Sequence, residues 1–194
     1  LKRNMHSLLF GESGNGKTWL YRHVVEELDI PCVVANCASA AMKGSITKEI
    51  VSAIVEPGTP VKTGYSETKA AELNAAFAKG QLQNESYYEI VQQEPLLSAY
   101  EVFSEAKGAR KIVVLDNLES IFSRPELMEE LANLIILLDD ERYAKFGVNF
   151  LIVGVPTGVL EYFRTTRNVE SVANRIEELP AVTGLERDQV MYIL

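Results

Sequence analysis

Gly11-Glu12-Ser13-Gly14-Asn15-Gly16-Lys17-Thr18 fills every position of the pattern G-x-x-x-x-G-K-[ST]. Glycines in such a loop let the backbone curl until several N–H groups converge on one point, where phosphate oxygens fit. A helix after the loop adds the positive end of its dipole. Lys17 supplies a cation for β- and γ-phosphates, and Thr18 a hydroxyl for Mg²⁺. The four fixed positions arise by chance in roughly one chain in a hundred of this length. The alternative, a glycine-rich turn with a solvated lysine, leaves the flanking pattern without a reason.

That pattern is a strand before the loop and a helix after it. Residues 5–10 are apolar and strand-length, and Leu20, Val24, Val25 and Leu28 fit one helix face. Pro31 stops the helix, and residues 32–35 read as a second buried strand. Residues 45–55 predict a helix with Ile46, Ile50 and Ile54 aligned, broken by Glu56-Pro57-Gly58-Thr59-Pro60. Residues 66–79 and 85–107 read as two more helices, the second interrupted or kinked at Pro95.

Residues 111–115 form a β-branched and leucine run that suits a central parallel strand covered on both faces. Residues 125–138 are amphipathic, with Leu127, Leu131, Leu134, Ile135 and Leu138 aligned. Residues 150–153 predict another buried strand closed by Gly154, 159–164 a short helix, and 175–179 a last strand before Pro180. Strands alternating with helices imply a three-layer α/β/α sandwich on a parallel sheet. Ligands then bind at the carboxyl ends of the strands, where the loops after Phe10, Leu115 and Val153 meet.

The totals narrow the function classes. The chain has 194 residues, enough for one domain with a sizeable core, and a formal net charge of −8. That acidity makes it a poor stand-alone nucleic-acid binder. No apolar run approaches the length of about 20 residues that a membrane span needs. The start has no signal-peptide shape and no initiator Met, so Leu1 is expected to begin a fragment of a longer, cytoplasmic protein. Cys32 and Cys37 are the two cysteines. A zinc site lacks partners, and on a strand the odd spacing sends the two thiols to opposite faces.

Ile112-Val113-Val114-Leu115-Asp116 is a hydrophobic strand closed by a carboxylate. Beside the phosphate loop, Asp116 is assigned to Mg²⁺ with Thr18, most of the ion's hydration shell being kept. Asn117 follows, where many ATPases place a Glu that activates water. An amide orients water but takes no proton. Glu119 can serve as that base if the loop turns inward, or stand as a solvated carboxylate if it does not.

Together these residues resemble the AAA+ superfamily, in particular its Orc/Cdc6-like and transposition-helper-like branches. Asn4–Gly11 looks like the lead-in strand of that family, and Leu115-Asp116-Asn117-Leu118-Glu119 is similar to its D-E-x-D segment. The resemblance implies a P-loop NTPase sheet of AAA+/RecA type, a core over residues 1–180, and a helical lid that starts within 181–194 and is largely missing. It also implies Thr157, just past the fourth strand, as a sensor of the γ-phosphate or its water, a turn residue being the other reading. Asn174-Arg175-Ile176 resembles the arginine-finger box, which makes Arg175 a candidate to reach a neighbour's γ-phosphate. A surface salt bridge is the competing role, and Arg164 and Arg167 are rivals. Residues 56–110 do not fit the family pattern and read as an insertion or as scaffold.

The resemblance therefore implies an ATP- and Mg²⁺-binding ATPase with ATP and ADP as its ligands, and catalysis by Glu119, Asn117, Thr157 and Arg175 in a homo-oligomer. A partner protein or DNA is reached through other domains, and no membrane is involved. A STAND-type signalling switch with slow or no hydrolysis is the alternative that Asn117 favours. A small-molecule kinase is less consistent, with Arg124 its lone candidate lid arginine. An ABC ATPase lacks its L-S-G-G-Q-like signature here.

Overall fold

The computed structural model describes residues 5–55, 94–154, 163 and 166–184. The first strand, β1 (His6–Phe10), leads through the glycine loop into α1 (Lys17–Glu27), and β2 (Cys32–Asn36) follows. Helices α2 (Cys37–Lys43), α3 (Ile46–Ile54) and α4 (Pro95–Ser104) precede β3 (Lys111–Asp116). A 3₁₀ turn (Leu118–Ile121), α5 (Pro125–Leu137) and α6 (Glu141–Ala144) lead to β4 (Val148–Gly154). Helix α7 (Val169–Ala173) and β5 (Ile176–Glu178) complete the described elements.

The strands form one sheet in the order β2-β3-β4-β1-β5, every pairing parallel. Alternation along each strand feeds two separate cores. Leu8, Val113, Leu115, Phe150 and Ile152 point to one face, under α2, α3, α4 and α5. Leu9, Val114 and Val153 point to the other, where Tyr21 of α1 packs on them. Val113, Val114 and Leu115 are fully buried, as a central strand covered on both sides requires. The cysteines divide the same way: Cys37 lies in the first core and Cys32 packs against the second, both as free thiols.

One sequence expectation needs correction. Helix α1 does not bury the Leu20, Val24, Leu28 line: Val24 and Leu28 are exposed, and the helix packs through Tyr21 with Leu20 half-buried. The glycine loop fixes how α1 leaves β1, and that rotation outweighs the periodicity. Of the two outcomes expected at Pro95, the break is the one found: Glu94 is non-helical and Pro95 starts α4, where its missing N–H is one of the first-turn orphans anyway. The short helices α2, α6 and α7 were not anticipated, being too brief for a periodic signal. The helices expected at 66–79 and 159–164, residues 85–93 and the lid start at 185–194 lie outside the described residues, except for buried Phe163.

Polar caps join the helices over the first core. Asn36 accepts from Ala38 N and Ser39 N, so α2 begins as β2 ends. Ser45 caps α3 by accepting from Lys48 N, and its hydroxyl donates to Glu130 of α5 at 2.8 Å. Glu130 also accepts from Ile46 N at 2.9 Å, Thr47 N at 3.0 Å and Thr47 Oγ1 at 2.7 Å. A carboxylate from one helix thus satisfies the orphan donors and the dipole of another. Burial opposes its ionisation, but these hydrogen bonds outweigh burial and hold it below its ordinary value.

Glu130→Ala is expected to cost about 1–3 kcal/mol of stability at neutral pH in urea unfolding, with Glu130→Gln recovering part. Because the folded pKa is depressed, the charge-dependent share is present above the unfolded value of 4.5 and fades as pH falls through the folded value. A Glu130→Gln deficit that does not shrink on acidification would contradict this role.

Candidate nucleotide site

Parallel pairing of β1 with β4 and β4 with β3 brings three strand ends to one sheet edge. Phe10 is beside Gly154, and Leu115 is beside Ile152. A cavity of about 280 Å³ opens there, lined by the loop after β1 (Ser13, Gly14, Gly16, Lys17, Thr18), the turn after β3 (Asp116, Asn117, Glu119) and the end of β4 (Val153, Gly154).

Local sequence explains the shape of the loop. Gly14 and Gly16 have φ of +88° and +81°, the left-handed region that only glycine enters freely. Gly16 ends the loop at the start of α1, and no side chain caps that helix. Its first-turn N–H groups are left for an anion. The Lys17 ammonium donates to Gly11 O at 2.7 Å and Glu12 O at 2.8 Å, which ties the two ends of the loop together.

Gly11 is required for a different reason. Val182 bridges to it in parallel, donating N–H to Phe10 O at 2.8 Å. A Cβ on Gly11 would stand 2.4 Å from Val182 O. Asn15 Nδ2 donates to the same Val182 carbonyl at 3.0 Å. The segment after β5 is therefore laid along the phosphate loop. The loop pattern marked Gly11 and Asn15, but nothing in it marked Val182 as their partner.

On the acidic side, Asp116 Oδ1 accepts from Asn117 N at 2.9 Å. Asn117 is left-handed, with φ 57° and ψ 46°. The chain then enters the 3₁₀ turn, with Leu118 and Ile121 fully buried and Glu119 exposed on the cavity. The inward turn on which a role for Glu119 depended is thus present. Cys37 lies close behind: burial, then the charges of Asp116, Glu119 and Glu49, push its thiol up to about 12, so it stays protonated and unreactive.

Glu49 escaped the sequence reading. Buried on α3, it accepts from Asn36 N at 3.3 Å, Ser39 Oγ at 2.7 Å and Lys43 Nζ at 2.5 Å. Its burial opposes ionisation, but Lys43, Ser39 and the Asn36 N–H together hold it below the ordinary range. The network fixes Asn36, which pairs with Asp116 in the sheet. A carboxylate three residues after Ile46, on the apolar face of a helix, was the available signal.

Arg175, Arg124 and Arg167 are not among the residues that line the cavity. Arg175 precedes β5, and its carbonyl accepts from His6 N at the opposite end of β1. That is about 16 Å along the strand from the loop. Its Nε donates to Asp139 Oδ2 at 2.6 Å and its Nη1 to Ser171 O at 2.7 Å. Arg124 donates to Ala41 O, and Arg167 N to Glu129. Thr157 and Arg164 lie outside the described residues.

A parallel sheet with a glycine-rich phosphate loop on its carboxyl edge and an acidic strand end beside it defines a nucleotide-binding domain of the P-loop class. A family model described as "AAA domain" matches residues 2–163, and the chain belongs to that family. Its members bind ATP, and no helix among the described residues is long and apolar enough to cross a membrane. The fold is shared with Cdc6p from Pyrobaculum aerophilum, at 17% identity and a TM-score of 0.50. It is shared also with the ORC2 protein of Aeropyrum pernix in its ADP form, at 15% identity and a TM-score of 0.51. Each alignment covers 98% of this chain but only 42% and 45% of the respective relative, so the chain spans less than half the length of either. No curated protein matches by sequence.

Proposed function

We propose that this domain binds Mg-ATP in the cavity at the carboxyl edge of β1, β3 and β4 and hydrolyses it within a homo-oligomer. The observation that carries the reading is the convergence of Lys17, Thr18, Asp116 and Glu119 on one cavity. The donor set fits the ligand. Backbone N–H groups of residues 11–18 and the Lys17 ammonium suit phosphate oxygens. The hydroxyl of Thr18 and the carboxylate of Asp116 are hard oxygen ligands of the kind Mg²⁺ takes. When bound, the ion neutralises charge on the β- and γ-phosphates.

Glu119 is the base in this account. It takes a proton from a water whose oxygen attacks the γ-phosphorus. The bond to the β-phosphate oxygen then breaks, and ADP and inorganic phosphate leave. Asp116 is the poorer base because one of its oxygens is already bonded to Asn117 N and the carboxylate is assigned to the metal. Thr157, just past β4 in the sequence, senses the γ-phosphate or its water.

Arg175 acts in trans. It stands too far from its own phosphate loop to serve it, so the site it completes belongs to a second copy. A guanidinium suits that task because it is planar, permanently charged and binds phosphate bidentately. The Asp139 and Ser171 contacts hold the side chain until a neighbour's phosphate replaces them. Asn117, where a glutamate is common, favours slow turnover, as in a STAND-type switch. The acidic domain, with net charge −8, leaves contact with DNA or a partner protein to other domains of a cytoplasmic assembly.

Glu119→Gln is expected to lower ATP turnover by about a hundredfold or more while Mg-ATP still binds. Trp19, the single tryptophan, follows Thr18 directly and serves as the fluorescent reporter of binding. Turnover equal to wild type would remove Glu119 from the mechanism. For Arg175, Arg175→Ala copies (intact site, no finger) mixed with Lys17→Ala copies (finger, no site) should regain activity that neither has alone. Assembly without any regained activity would refute the trans role.

A further inference from the structure

We infer that Asn117 is a positioning residue, chosen for its left-handed backbone, which delivers Glu119 to the reacting end of the cavity. The inference rests on the reading of Glu119 as the base. It assigns residue 117 a role other than that of a weak substitute for a catalytic glutamate.

Strand β3 ends at Asp116, and its last side chain lines the cavity. Were residue 117 extended, the strand would run on and alternation would send residues 117 and 119 to the face opposite Asp116. Instead Asn117 takes φ 57° and ψ 46°. It and Asp29 are the non-glycine residues with positive φ among the described residues. The reversal lets Asn117 O accept from Ser120 N at 3.0 Å and Glu119 O from Phe122 N at 3.3 Å, which closes the 3₁₀ turn. Leu118 and Ile121, three apart and on one side of that turn, sink into the core with no exposure. Glu119, next to Leu118, is thereby rotated out of the core onto the cavity that Asp116 and Lys17 also line. The same reversal places Asn117 N on Asp116 Oδ1 at 2.9 Å, which orients the metal-facing carboxylate.

Residue type follows from that conformation. Asn enters the left-handed region more readily than other residues with a Cβ, because its short amide bonds locally. A glutamate there lacks that advantage, so the common residue of this position suits the turn less well. Buried Leu118 and Ile121 fix the turn on one side, and the left-handed residue fixes it on the other.

The test compares Asn117→Gly, Asn117→Ala and Glu119→Gln in steady-state turnover, with Mg-ATP affinity followed by Trp19 fluorescence. Glycine favours the left-handed turn, whereas alanine lowers its population about tenfold. Asn117→Ala is therefore expected to lose about tenfold in kcat with little change in affinity, and Asn117→Gly to turn over at least fivefold faster than Asn117→Ala. Equal losses in the Gly and Ala variants, with Glu119→Gln inactive, would show that the amide itself acts and would overturn the positioning role alone. Asn117→Ala as active as wild type would overturn it too. If Glu119→Gln turns over like wild type, the base assignment and this inference fall together.

Discussion

Phe10 lies beside Gly154 and Leu115 beside Ile152 in a parallel sheet, and the site exists because of that register. Parallel pairing sends every strand end to one edge. The order β2-β3-β4-β1-β5 makes the three chemically equipped strands immediate neighbours on it. A one-residue slip of β3 would turn Val113 and Leu115 out of the first core and Val114 out of the second, so both cores resist it. The cavity borrows its precision from hydrophobic packing that never touches a ligand.

Around that frame, cations and carboxylates are held in place by the chain itself. Lys17 bonds the carbonyls of its own loop, Asp116 bonds the next backbone N–H, and Glu49 collects three donors behind β2. Preorganised groups of this kind need little rearrangement when a phosphate arrives. Arg175 is held by its own chain in the same way, but away from the cavity. Under the proposed trans role of Arg175, turnover depends on a contact between copies, whereas binding does not.

Much of this was legible in the sequence because the informative residues are local. Gly11–Thr18 is one unbroken stretch, and the run into Asp116 is another. Each reports a backbone shape together with a chemistry. The strands were legible for a related reason, since buried parallel strands read as continuous apolar runs. What escaped depends on distance in the sequence. Val182 meets Asn15 across 167 residues, and Glu130 caps α3 across more than 80. The face of α1 was misread because the loop before it, and not its own periodicity, sets its rotation. The inward turn of Glu119 was left open because one left-handed residue decides it, and asparagine only permits that conformation.

The central claim is that the loop from Gly11 to Thr18 binds nucleotide phosphates through a cradle in which Lys17 is the main cation. Isothermal titration calorimetry with Mg-ATP tests it most directly, run on the wild-type chain and on Lys17→Ala, with circular dichroism confirming that both are folded. The account predicts saturable binding to the wild type and no measurable binding to Lys17→Ala. Equal affinity of the two proteins for Mg-ATP would contradict it.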